Sequence, residues 1–226
     1  MSRVIAVKVG PLVSANTSNI ALSQTTAGAA NLTLNGSLAT AGVATLDTPR
    51  HVIVTSAGND TGITFTATGT DWAGYPISAT VTGASGGAAD FGVSFATVTK
   101  ISTSGATSGS GVIVGTNTIA DSRPIILDEY GFSPSSLQIN ASGTVNFTVS
   151  QTIDDPTNPN WLWSTGAASS SLSNVVWINH PDSNLVSQTA SVQGNYAYVP
   201  KMTRVTLNSG TGFVVYQIIQ AASPSK

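Results

Sequence analysis

Side chains of the types that bind metal ions occur in the second half of the chain, at Asp154, Asp155, His180 and Asp182. Carboxylate oxygens and imidazole nitrogens are ligands for calcium and transition metals. These residues lack the alternating acidic spacing of a calcium-binding loop, and Asp154-Asp155-Pro156 is also ordinary turn chemistry. Both roles stay open at this point. We favour turns, and predict no metal site and no cofactor.

Groups for nucleophilic or acid–base catalysis are scarce and scattered. The 226 residues include 10 acidic side chains, 8 basic side chains and 2 histidines, so charged residues make up 8% of the chain. His51 lies at the start of a predicted strand, and no serine lies in a nucleophile elbow with a histidine and an acid in workable order. Asp128 and Glu129 fit a solvated strand end. We therefore predict no catalytic residues and a protein that is not an enzyme.

The charge balance also limits the partners. The Lys and Arg residues never cluster, and the formal net charge is −2. Nucleic acids and anionic membranes are bound through basic patches, so we predict neither as a partner. The chain has no cysteine, which excludes a disulfide scaffold. Because Lys8 interrupts the apolar run near the N-terminus, we expect no signal peptide and a soluble, unprocessed protein.

Strands are the elements that must position any site, because apolar and polar residues alternate along much of the chain. The alternation is regular in residues 63–68, 77–82, 145–150 and 205–208, which are rich in Thr and Val. This pattern predicts half-buried strands of antiparallel sheets. Residues 213–219 are apolar on both faces, which predicts a central strand or a strand covered by a partner.

Small polar turns separate the predicted strands. Asn35-Gly36 is the residue pair that prefers a type I′ hairpin turn. Residues 71–74 predict a tight turn supported by Gly74. A single helical turn is predicted between residues 182 and 192.

The aromatic content of the chain rises near residue 120. Three of the 4 tryptophans and four of the 5 tyrosines follow this point. We predict an all-β protein of two tandem antiparallel β-sandwich domains, Ig-like or jelly-roll-like, at residues 20–118 and 119–226. An extended N-terminal arm precedes them at residues 1–19. The second domain carries a long loop at residues 153–172 and a short C-terminal tail.

Interface candidates are the apolar residues of the arm and the aromatic residues of turns and loops. Gly10-Pro11 separates the arm from the rest of the chain, so we predict strand addition to a neighbouring subunit of a homo-oligomer. Trp161 and Trp163 fit a plug of the sandwich end, a protein interface or a glycan-stacking surface, and we expect the aromatic-rich second domain to hold the more specific contact. The predicted interface residues are Val4, Ile5, Val7, Val9, Trp72, Tyr75, Trp161 and Trp163.

Two sets of segments resemble a known group of proteins. Residues 55–71 have the sequence TSAGNDTGITFTATGTD and are followed by the strands at residues 77–83 and 95–101. This arrangement resembles the first domain of a group of tailed-bacteriophage virion proteins. Segments that resemble the second domain of the same group are Asp154–Pro156, Trp177, Asn184-Leu185, Gly194–Ala197 and Leu207–Gly212.

The resemblance implies a component of the virion, assembled in the cytoplasm of a bacterial host. It implies a head decoration (cement) protein that binds the major capsid protein or other virion proteins, and it supplies no catalytic residues. Two alternatives stay open: a tail- or adaptor-attached virion protein, and a glycan-binding module for attachment to the host.

Overall fold

The computed structural model describes residues 3–127, 132–156 and 175–221. These residues form an all-β protein with antiparallel strand pairing, which confirms the predicted fold class at that level. The strands are β1 Arg3–Val9, β2 Asn16–Gln24, β3 Ala30–Asn31, β4 Ala39–Thr40, β5 Val43–Asn59, β6 Thr64–Thr70, β7 Pro76–Thr82, β8 Ser85–Thr103, β9 Val112–Asp121, β10 Ile125–Ile126, β11 Phe132–Ser142, β12 Val145–Thr152, β13 Ile178–Asn179, β14 Val192–Tyr196, β15 Met202–Gly210 and β16 Phe213–Ala221.

The chain divides into two compact units. The outer unit comprises Met1–Leu12 and Ile119–Lys226, and the inserted unit comprises Val13–Thr118. The second division falls inside β9, close to the point where the aromatic content of the sequence rises. The outer unit is therefore discontinuous in sequence, with the inserted unit between its two parts.

In the outer unit, one sheet has the strand order β1-β16-β11-β14. A second set of strands pairs in the order β13-β12-β15, and β15 also pairs with β10 and with the end of β9. One apolar cluster draws on both sets of strands, because apolar residues of β1, β11 and β16 from the first and of β12 and β15 from the second face it. In β16 the buried residues are Val214, Tyr216 and Ile218. Pairing on both edges makes β16 the central strand that its apolar sequence predicts.

In the inserted unit, β5, β8, β6 and β7 pair in that order. The first part of β9 pairs with β2, while β3 pairs with β8 and β4 with β5. The core includes Val52, Val54, Phe65, Phe95 and Ile101. Along β6, Phe65 and Ala67 are buried whereas Thr64, Thr66 and Thr68 are more exposed, as the alternating sequence predicts.

The N-terminal segment differs from the predicted arm. β1 pairs with β16 of its own chain along its whole length, from Arg3 opposite Gln220 to Val9 opposite Val214. Val7 and Val9 are buried in the core of the outer unit. The physical reason is that β16 needs a partner on this edge, and β1 supplies both hydrogen-bonding groups and apolar side chains. Residues 16–19 belong instead to β2.

The predicted hairpin turn also lies elsewhere. Asn35 Oδ1 accepts a hydrogen bond from the Leu22 N–H at 2.9 Å, and Gly36 N–H donates to the Ile20 carbonyl at 3.0 Å. A Cβ at Gly36 would lie 2.3 Å from the Asn19 carbonyl carbon, so the glycine serves a close backbone contact. The two-residue hairpin loop, between β4 and β5, is Ala41-Gly42, with φ values of 51° and 80°.

Candidate functional site

The turn between β6 and β7, residues 71–75, is held by one aspartate. Asp71 Oδ1 accepts hydrogen bonds from the N–H groups of Ala73 at 2.8 Å and Tyr75 at 3.0 Å. The backbone adds bonds from Asp71 N–H to the Tyr75 carbonyl and from Gly74 N–H to the Asp71 carbonyl. Gly74 has a φ of 85°, which glycine adopts at little cost. The turn is therefore braced at both ends, which agrees with the glycine-supported turn that the sequence predicts.

This turn presents two aromatic side chains to solvent. Trp72 is 39% exposed and Tyr75 is 44% exposed. Large aromatic side chains on a rigid support contribute much binding free energy, because little conformational entropy is lost when they are buried. We call Asp71–Tyr75 the aromatic turn, and it is the candidate functional site.

The strand after the aromatic turn lies at a sheet edge. Among the described residues, β7 pairs only with β6, from Thr64 opposite Thr82 to Thr70 opposite Pro76. Ser78, Thr80 and Thr82 are more exposed than Ile77, which is buried. The aromatic turn and this edge together form one continuous, accessible part of the inserted unit.

The other predicted interface residues have different surroundings. Val4 is 53% exposed and Ile5 is partly buried against the core of the outer unit. Val7 and Val9 are 6% and 1% exposed, so within this chain they pack in the core instead of offering a surface. Trp161 and Trp163 lie outside the described residues.

The candidate metal ligands make separate structural contacts. Asp154 Oδ2 accepts from the Val176 N–H at 2.8 Å, and Asp155 lies 2.8 Å from Lys201 Nζ. Asp182 Oδ1 accepts from Asn184 N–H and caps the 3-10 helical turn Ser183–Leu185, which is where a helical turn was expected. In the part of the chain that the structure describes, no group of three or more His, Cys, Asp or Glu residues is arranged to hold a metal ion.

His180 is held by the backbone around it. Its Nδ1 accepts from the Asp182 N–H at 3.0 Å, so Nε2 carries the proton and donates to the Asn195 carbonyl at 3.2 Å. The ring lies 4.7 Å from that of Tyr196. Burial lowers the pKa of His180, so the neutral imidazole is favoured. This histidine is a structural residue that fixes the segment before the 3-10 turn.

A pocket of mixed polar and apolar lining, which sequence reasoning missed, lies beside His180. Its volume is about 390 Å³, and Asp182, Gln193, Asn195 and Tyr198 are among its lining residues. The Tyr198 hydroxyl accepts a hydrogen bond from Gln151 Nε2, and its side chain is 50% exposed. Amide, carboxylate and aromatic groups in one pocket suit a ligand rich in hydroxyl groups. No local pattern in the sequence predicts that β14 lies beside the segment that contains His180.

A second polar cluster joins β5, β8 and β9 in the inserted unit. Asp90 Oδ2 accepts from His51 Nδ1 at 3.0 Å and from Asn117 Nδ2 at 2.8 Å, and Asp90 Oδ1 accepts from Gly92 N–H. Partial burial alone would raise the pKa of Asp90, but these hydrogen bonds outweigh burial and lower it. The ionised Asp90 therefore links three strands, a structural role for His51 that its isolated position in the sequence does not reveal.

Comparison with known proteins gives no relative for this chain. The sequence matches no protein-family model and no curated protein, and the fold matches no solved structure. Within the described ranges, the structure holds no helix of the length and apolarity required to cross a bilayer.

Proposed function

We propose that the protein is a non-enzymatic structural component of a tailed-phage particle. In this proposal it is a decoration or cement protein that binds the lattice of the major capsid protein, self-associates, and is assembled into the virion in the bacterial cytoplasm. The assignment to a phage particle is supported by the resemblance of residues 55–71 and the following strands to phage virion proteins. The mode of binding is supported by the geometry of the aromatic turn.

We also propose that each unit is a β-sandwich of Ig-like or jelly-roll-like type. In the outer unit, support comes from the apolar cluster that Tyr216 and Ile218 of one sheet share with Phe147 and Leu207 of the other strand set. In the inserted unit, support comes from one apolar cluster that includes Ile20 of β2 and Phe65 of β6. Two β-sandwich units would give a cement protein a large surface of defined shape, which is what it needs to fill a junction between capsid subunits.

The observation that carries the proposal is the exposure of Trp72 and Tyr75 on a braced turn. Trp and Tyr are enriched among the residues that dominate protein interfaces. In the outer unit, by contrast, Tyr196 and Tyr216 are core residues, and the Arg204 guanidinium covers the Trp177 ring at 4.3 Å from the ring centroid. Tyr198 of the outer unit is exposed, but its hydroxyl is already hydrogen-bonded to Gln151. We therefore assign the principal particle contact to the inserted unit, in place of the second domain that composition favours.

The first experiment measures the copy number of the protein in purified virions by quantitative mass spectrometry. A decoration protein is expected in numbers comparable to those of the major capsid protein. A copy number equal to a single ring of subunits would instead assign it to the tail or the head–tail adaptor. Absence from the virion would contradict both assignments.

The second experiment tests the aromatic turn by binding to phage heads assembled without the protein. The double variant Trp72→Ala, Tyr75→Ala is expected to bind roughly a hundredfold more weakly, because two anchor side chains are lost. Tyr198→Ala is the matched control, since it removes an exposed aromatic side chain from the outer unit. Equal loss in the control and the double variant would contradict the assignment.

The pocket beside His180 favours a second candidate, a glycan-binding module for host attachment. Tyr198 and Asn195 line this pocket and suit stacking and hydrogen bonding to a sugar. Binding to purified host polysaccharide that is lost in Tyr198→Ala, or in the double variant Trp161→Ala, Trp163→Ala, would support this candidate. Binding unaffected by these changes would reject it, and depolymerisation of the polysaccharide would overturn the non-enzymatic proposal.

A further inference from the structure

The outer edge of β7 carries backbone groups that β6 does not use. Hydrogen bonds from Gly83 N–H to the Ile63 carbonyl and from Asp71 N–H to the Tyr75 carbonyl, both 2.9 Å, bracket the β6–β7 ladder. In an antiparallel pair such bonded positions alternate, so Ile77, Ala79 and Val81 bond to β6. The N–H and C=O groups of Ser78, Thr80 and Thr82 therefore point away from the sheet.

This edge lacks the features that protect sheet edges from pairing. β7 contains no charged residue, and its one protective residue, Pro76, is at its first position. The edge strand β1 of the outer unit, by comparison, contains Arg3 and Lys8, and the edge strand β13 has two residues.

The edge strand β14 is also uncharged, but it has five residues, and its Asn195 carbonyl accepts a hydrogen bond from His180. The uncharged strand β2 pairs with β9, and its Asn19 and Ile20 carbonyls accept hydrogen bonds from Leu38 and Gly36. β7 is thus a seven-residue, uncharged edge strand.

We propose that β7 binds β7 of a second copy of this chain, antiparallel and about a two-fold axis at Thr80. Ser78 of each copy would lie opposite Thr82 of the other, and Thr80 opposite Thr80. This register matches outward-pointing residues with one another and forms about six backbone hydrogen bonds. The inference names the partner in the proposed self-association and does not depend on a phage particle.

The side chains on both faces of β7 fit a second copy. On the core face, Ala79 and Val81 are half-buried, and the same residues of the second copy would extend that apolar surface over them. On the opposite face, Ser and Thr side chains would pair with Ser and Thr, which stabilises antiparallel pairs. Because the edge has no charge, two identical copies meet without electrostatic repulsion.

The test is the mass of the purified full-length protein by sedimentation over a range of concentrations. Wild type is expected to form dimers reversibly. Thr80→Pro removes an outward N–H without removing a bond to β6, so no dimer is expected. Thr80→Ala keeps that N–H and is expected to dimerise with an affinity within about threefold of wild type, since the side chain adds little. Circular dichroism and thermal melting establish that both variants fold.

Charge variants at the two-fold axis test the register independently. Thr80→Lys and Thr80→Glu are each expected to dimerise about fivefold more weakly than wild type, because like charges would face each other. Mixing the two variants is expected to restore pairing. A monomeric wild type, a dimer that survives in Thr80→Pro, or no recovery on mixing would each overturn the proposal. A monomeric wild type with particle binding lost in Thr80→Pro would assign the edge to a virion protein.

Discussion

At the level of single residues, a buried hydroxyl cluster shows how the outer unit combines aromatic bulk with polar groups. Thr203 Oγ1 donates to the Ser150 carbonyl at 3.0 Å, and the hydroxyls of Tyr196 and Tyr216 lie 2.7 and 2.8 Å from it. Since the threonine proton is used, both tyrosines donate to Thr203. All three hydroxyls are thereby satisfied in the core.

This cluster predicts a loss of stability in alkaline solution. Burial raises the pKa of Tyr196 from 10.0 to about 12, and burial raises the pKa of Tyr216 well above its usual value. Below pH 10 both tyrosines are protonated in the folded and the unfolded state, and their contribution to stability is complete. As the pH rises above 10, the tyrosines lose their protons in the unfolded state but keep them in the folded state, which favours unfolding. We expect Tyr196 to lower the free energy of unfolding by about 2–3 kcal/mol as the pH approaches its folded-state pKa, and Tyr216 to lower it further in the same direction.

Urea titrations between pH 8 and pH 12 measure this loss. Tyr196→Phe is expected to reduce the steepness of the decline above pH 10, although it also removes one hydrogen bond and lowers the overall stability. An unchanged decline in both Tyr196→Phe and Tyr216→Phe would show that other groups cause it.

Sequence reasoning at this scale succeeds where the causes are local. The exposure of Trp72 and Tyr75 results from a turn that Asp71 and Gly74 define within five residues. Tyr196 and Tyr198 look equivalent in sequence, yet one is buried and the other exposed. That difference depends on Thr203, Tyr216 and the register of β14 on β11, which no local pattern specifies.

At the level of elements, the hairpin between β4 and β5 predicts a loss of stability when its glycine, Gly42, is replaced. Gly42 has a φ of 80° and no heavy atom within 4 Å of an added Cβ, so Gly42→Ala introduces backbone strain alone. We expect a loss of about 1 kcal/mol in the free energy of unfolding. Gly28 has equal space without a left-handed φ, so Gly28→Ala is the control, with no loss expected in thermal or urea unfolding.

Strand sequences and strand pairing differ in how well they can be predicted. Alternation identifies β6, β7, β12 and β15, because burying one face of a sheet is a local constraint on side-chain type. The predicted position of the hairpin turn is wrong, because Asn35 and Gly36 form hydrogen bonds to β2. The hairpin turn instead contains Ala41 with a φ of 51°, a conformation that an alanine in the sequence does not predict. Pairing of β1 with β16 joins distant segments and leaves no local trace.

At the level of the whole molecule, the discontinuous outer unit predicts how fragments behave. Residues 13–118 contain a complete apolar core and are expected to fold alone. Residues 119–226 lack β1, and with it Val7 and Val9, so we expect lower thermal stability than the outer unit has in the intact chain.

A synthetic peptide of residues 1–12 is expected to bind the 119–226 fragment and raise its melting temperature, because the β16 edge regains its partner. A peptide with Val7→Ser and Val9→Ser is the control and should bind more weakly, since both side chains belong in the core. Equal stability of the fragment with and without the native peptide would contradict this role of β1.

The pairing of β1 with β16 also sets an order of events during synthesis. The ribosome makes β1 before β16, and the whole inserted unit emerges between them. The inserted unit can therefore fold before β1 has a partner strand. The pairing of β1 with β16 then forms after the inserted unit has been made. A nascent chain interrupted before β16 keeps Val7 and Val9 exposed, so proteases and chaperones can recognise incomplete copies. Only chains translated through β16 would then complete the core of the outer unit.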